Sequence, residues 1–172
     1  MLTNPATALA ETLLCEREAH SQPVVTPAYQ ATRSNLLARL AEFSSLLLRP
    51  DDIDPDDARA VLGRATAFRL GHAATSGPNR AARLAPILAT NSLLFPPIAS
   101  PPGLQPIAAL LSLLSGPTQE LEMDELTEIV EAVQRNILSE DTEMIFGHGI
   151  LPEAEEAGIL AWLLVGYGYS AE

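Results

Sequence analysis

The densest run of chemistry-bearing side chains in the sequence is Asp51-Asp52-Ile53-Asp54-Pro55-Asp56-Asp57. Closely spaced carboxylates can hold a hard cation, orient water, or sit at the positive end of a helix. A calcium loop is excluded. With Asp52 as its first position, Asp57 stands where a glycine is required and Gly63 where a bidentate glutamate closes the shell. As a helix start the run is well formed, with Asp54 as N-cap, Pro55 at the first helical position and Asp57 in the first turn. His20, His72 and His148 lie in three separate segments without ligand spacing, and Cys15 is the only cysteine. No metal site and no disulfide are therefore expected, and Cys15 reads as an inert thiol in a reducing, cytoplasmic setting.

These residues need elements to position them. Thr26-Pro27 opens a long helix that Arg49-Pro50 stops, because proline disfavours helical geometry in the residue before it. Along it Tyr29, Leu36, Leu40, Phe43 and Leu47 form one stripe, and Leu37, Ala41 and Leu48 a second, so this helix is expected to touch two surfaces. A shorter helix follows Asp54. Ala65 to Ala74 alternates like a half-buried strand, and Ser76-Gly77-Pro78 turns the chain. Arg80 to Asn91 reads as a helix kinked or broken at Pro86. Residues 96–106, with five prolines and one glycine, read as a loop.

Ile107 to Leu114 is an apolar run of strand length. Leu126, Ile129, Val130, Val133 and Ile137 then recur at helical spacing among acids, the clearest amphipathic helix in the chain. Thr142 to Ile150 and Gly158 to Gly168 read as two strands, joined by the acidic loop Pro152 to Glu156. His148, between two glycines, is expected to mark a strand irregularity, and Phe146 and Trp162 to pack in the core. The divisions are an N-terminal segment over 1–25, the long helix over 26–50 and the sheet domain over 51–172.

Composition narrows the partners. The chain has 172 residues and a formal net charge of −12, and all ten of its bases are arginine. Residues 1–100 carry nine acids and nine bases, whereas residues 101–172 carry thirteen acids and only Arg135. A surface that negative repels phosphate backbones and anionic lipid, so neither nucleic acid nor direct membrane binding is expected. The N-terminus lacks the basic region of a secretion signal, and the run from Gly158 to Gly168 is about half the roughly 20 residues a membrane helix needs.

Several segments, in order, resemble the bacterial tubulin homologue and cell-division GTPase FtsZ. Ala28 to Pro50 is similar to that family's central helix. Ala58 to Ala81, ARAVLGRATAFRLGHAATSGPNRA, resembles the helix, strand and Ser-Gly-x-x-Arg-Ala turn that open its C-terminal domain. The tail is similar too, through LLSLLSGPTQELEMDELTEIVEAV, EMIFGHGILPE and GILAWLLVGYGY. The resemblance implies an α+β fold, a two-layer sandwich with a mixed sheet of about four strands packed by helices and preceded by the long helix. It also implies that Asp52, Asp54 and Asp57 match the acidic loop which, in that family, enters the nucleotide site of the next subunit and positions the attacking water. Tyr29 matches a guanine-contacting ring, but Arg33 stands where an aspartate would be. The first glycine is Gly63, so no phosphate loop, no bound cofactor and no GTPase activity of the isolated chain are expected. The function implied is an interaction module whose partner is an FtsZ-type GTPase or a second copy of the chain. The alternative is a split half of such an enzyme that supplies Asp54 and Asp57 in trans.

Overall fold

A computed structural model describes residues 53–63, 65–95 and 103–169, together with Ser34, Leu37, Ala38, Ala41 and Ser45, all five helical. The elements are α1 (Pro55–Gly63), β1 (Ala67–Thr75), α2 (Arg80–Thr90), β2 (Ser92–Phe95), β3 (Leu104–Ser115), α3 (Met123–Asn136), β4 (Glu143–Ile150), a 3-10 turn (Pro152–Ala154) and β5 (Ile159–Tyr169). The strands form one sheet in the order β2-β1-β5-β3-β4. Only β3 and β4 run parallel, because α3 carries the chain back between them, and all other neighbours are antiparallel. The mixed sheet expected from the sequence is thus β1, β5, β3 and β4, with the short β2 added at one edge.

Two helices cover one face of the sheet. Leu84, Ala85 and Leu88 of α2 and Leu126, Ile129 and Val133 of α3 pack with Leu111, Leu113, Leu163 and Val165 in a single core. On the opposite face Leu70, Leu110 and Leu164 have no exposed surface and Trp162 retains 4%. Burial on both faces is why Ile107 to Leu114 reads as an unbroken apolar run instead of an alternating one. β1, expected to be half-buried with an alternating pattern, is likewise covered on both faces, with Ala67 and Ala73 buried beside Phe68 and Leu70. There α2 lies so close that a Cβ at Gly71 would come within 2.8 Å of the Leu88 carbonyl oxygen.

Four further expectations need correction. Of the kink or break expected at Pro86, the break is absent: α2 runs from Arg80 to Thr90. Pro86 and Ala82, whose carbonyl loses its amide partner, are both exposed residues, while Leu84 and Leu88 hold the helix on the sheet. Of the loop expected over 96–106, residues 104–106 belong to β3, which begins at Leu104 and absorbs Pro106 at a register shift against β5. His148 marks no irregularity, since the β3–β4 register runs unbroken through it. Trp162 is buried as expected, but Phe146 on the edge strand is 44% exposed.

Candidate functional site

The acidic turn is built by local bonding. The backbone N–H groups of Asp56 and Asp57 donate to Asp54 Oδ1 at 2.8 and 3.2 Å, and the Asp54 N–H donates to Asp57 Oδ2 at 2.9 Å. This is a reciprocal capping box with aspartate in both roles, and it satisfies donors that the first turn of α1 would otherwise leave unpaired. Ile53 just before it and Ala58 and Val61 within α1 are buried. A Cβ at Gly166 would lie 2.9 Å from the Val61 carbonyl oxygen and 2.9 Å from the Ala65 Cβ, so α1 rests directly on β5. The carboxylates are therefore presented from a rigid helix end, Asp54 and Asp56 exposed and Asp57 half-buried. The capping bonds engage one oxygen each of Asp54 and Asp57. Asp52, Tyr29, Arg33, Leu48, Cys15 and His20 lie outside the described residues.

A second polar centre was not foreseen from the sequence. Arg80, the first residue of α2, donates from Nε to Glu125 Oε1 at 2.7 Å and from Nη2 to Glu125 Oε2 at 2.8 Å. Its Nη1 and Nη2 also donate to the carbonyl oxygens of Gln119 and Glu120, both at 3.0 Å. Glu125 Oε2 in turn accepts the Glu122 N–H at 3.0 Å, which ties the start of α3 to the same guanidinium. The hydrogen bond from Arg80 holds the Glu125 carboxyl below its ordinary range against the opposing effect of burial, and the same bond raises Arg80. One local signal pointed this way: a cation at the first position of a helix sits at the positive end of the dipole, and so calls for a tertiary anion.

Gly77, Arg80 and the loop from Pro117 to Glu122 line a cleft of about 560 Å³. Four of the five N–H donors of the Arg80 guanidinium are taken up by Glu125 and the two carbonyls, so its charge is already compensated within the fold. The loop is anchored at its other end by Glu155, whose Oε2 accepts the Thr118 N–H at 3.1 Å. His72 stacks on Trp162 at 5.0 Å between centroids and meets Asn91 Nδ2 at 3.1 Å, while His148 is exposed on β4. Among the described residues no three His, Cys, Asp or Glu side chains converge as a metal site, and no helix is long and apolar enough to cross a membrane.

No protein-family model and no curated protein matches the chain. Solved structures do. An FtsZ dimer from M. jannaschii is similar over 89% of this chain and 43% of its own, at 18% identity and a TM-score of 0.56. TubZ of Bacillus thuringiensis serovar israelensis, in a GTPγS-form protofilament, is similar over 91% of this chain and 39% of its own, at 14% identity and 0.55. CetZ from Methanosaeta thermophila strain DSM 6194 is similar over 99% and 50%, at 14% identity and 0.52. The likeness is one of fold: the chain has the α+β architecture of the FtsZ/tubulin C-terminal domain and spans half or less of the length of these proteins.

Proposed function

We propose that the chain is an interaction module for filament assembly of the FtsZ type, cytoplasmic and active in cell division, which modulates or caps a full-length FtsZ-type GTPase. In this reading residues 26–50 are a central-type helix, 51–172 the C-terminal-type domain and 1–25 a preceding segment. The observation that carries it is the fold, shared over most of the chain with proteins whose structures are a dimer and a protofilament. A fold found in a dimer and in a protofilament supports a surface suited to contact with such a subunit, although fold by itself does not fix activity.

The second reading supplies carboxylates in trans. It is favoured by Asp54 and Asp57, which the capping box holds together at the exposed end of α1. Mixing the purified chain with a full-length FtsZ-type GTPase, then measuring GTP turnover and pelletable polymer, tests both. Loss of polymer and turnover supports capping, and increased turnover supports carboxylates working in trans. Unchanged turnover and polymer overturn both readings and leave the fold alone.

A further inference from the structure

The sheet ends at β4, which pairs with β3 along its length and, among the described residues, with no strand on its outer side. Alternate residues of such a strand turn their N–H and C=O groups outward, an open template for another chain. Proteins commonly blunt such edges with lysine, proline or a bulge. In β4 none of these is present: it reads Glu-Met-Ile-Phe-Gly-His-Gly-Ile, in unbroken register from Glu143 to Ile150.

By the period of two, Phe146, His148 and Ile150 share one face. Their register partners on β3 are Leu111, Leu113 and Ser115, all buried. The apolar surface under α2 and α3 therefore continues outward past the helices, where Phe146 is 44% and Ile150 50% exposed. Charge selects what can lie there. Glu140 and Asp141 precede the strand and Glu153 and Glu156 follow it, all exposed, and Arg135 is the sole base of residues 101–172.

We propose that β4 is a docking strand for an extended segment of a different protein, which adds to the sheet edge, sets alternate apolar side chains against Phe146 and Ile150, and carries arginine or lysine at its ends. Main-chain hydrogen bonds supply affinity, the apolar stripe fixes register, and the acidic rims select the charge of the flanks. A second copy of the chain is disfavoured, because pairing two β4 strands brings the same acidic rims together on molecules of charge −12. The inference stands on β4 alone and holds whether or not the chain acts on a GTPase.

The probe is a labelled synthetic peptide of the length of β4, alternating valine and threonine, with arginines at both ends. One control is N-methylated at alternate backbone nitrogens, and another carries glutamates at its ends. Binding to the full chain is read by fluorescence anisotropy and by amide hydrogen exchange. The arginine-ended peptide is expected to bind and to slow exchange at β4. Binding should weaken about tenfold or more both for the methylated peptide and for the Phe146→Ser/Ile150→Ser variant. Should that variant lose its melting transition, the methylated peptide on the parent chain decides alone. Failure to bind, equal binding of the methylated or glutamate-ended peptide, or no slowed exchange at β4 overturns the proposal. So does a dimer of the chain itself that the double substitution dissociates.

Discussion

Arg80 and Glu125 form a two-point ion pair across 45 residues of sequence, Nε to Oε1 at 2.7 Å and Nη2 to Oε2 at 2.8 Å, and so fasten the start of α2 to the start of α3. The pair is partly desolvated, with side-chain exposures of 10% and 23%. Through Gln119 and Glu120 it also sets the loop that enters α3. Both helices lie on one sheet face, so their relative placement decides how the core of Leu84, Leu88, Ile129 and Val133 closes.

Replacing Glu125 by Gln keeps an acceptor for the Glu122 N–H but removes the charge facing Arg80. The expected cost is about 1–3 kcal/mol, the worth of a charge-assisted hydrogen bond whose partner stays partly buried. Urea unfolding of Glu125→Gln, Arg80→Met and the double variant measures it. A coupling energy near zero in that cycle would show that the pair contributes only shape.

The same pair predicts a pH dependence. Because the folded-state value of Glu125 is depressed, its contribution is fully present above the ordinary carboxylate value of about 4.3 and is lost as pH falls through the folded value below that. Arg80 is raised, so its contribution is complete throughout the ordinary range and is lost only in strong alkali. The melting temperatures of the parent and Glu125→Gln should differ by a constant amount above the ordinary carboxylate value of about 4.3 and converge as pH falls below it. A difference that does not change with pH would refute the assignment.

At the acidic turn, Asp54→Ala removes the acceptor of two amides and should lower stability by about 0.5–2 kcal/mol. Asp54→Asn keeps the cap and removes the carboxylate, so its melting curve should match the parent's. If Asp54 serves a partner's nucleotide site, turnover in the mixed assay falls with Asn as much as with Ala. If Asp54 is a cap only, turnover with Asn equals that of the parent.

The helix proposed over 26–50 carries a prediction about self-association. Leu37 and Ala41, from its second stripe, are half-buried. Leu37→Ser with Leu48→Ser should weaken a dimer by roughly 1 kcal/mol or more per leucine that an interface finishes burying. Light scattering across a concentration series on parent and variant reads it. A parent that stays monomeric at high concentration would show that this helix serves the fold alone.

What was legible in the sequence follows from range. The α3 stripe of Leu126, Ile129 and Val133 and the Asp54 cap were readable because helix periodicity and capping are local. Pro86 misled because propensity cannot see that the residue faces water while Leu84 and Leu88 hold the helix in place. β2 was missed because four residues between Asn91 and a proline pair carry no period, and pairing with β1 alone makes them a strand. Arg80 and Glu125 share no local pattern, and only the misfit of an arginine at a helix start hinted at a distant acid.

The placement of the acidic turn depends on a residue that carries no charge. Gly166 in β5 lets the α1 backbone descend onto the sheet, since a side chain there would run into the Val61 carbonyl and the Ala65 methyl group. Gly166→Ala forces α1 to shift, and Gly166→Val forces it further, because strand backbone and helix backbone have no rotamer with which to yield. Overpacking of this kind costs about 1–3 kcal/mol. The capping box is local to α1 and should survive, so Asp54 and Asp57 move with the helix instead of separating. Hydrogen exchange should therefore show lost protection in β5 and along α1 from Ala58 to Gly63, with the Asp56 and Asp57 amides less affected. If Gly166→Val leaves the melting temperature and the α1 exchange unchanged, α1 does not depend on this contact.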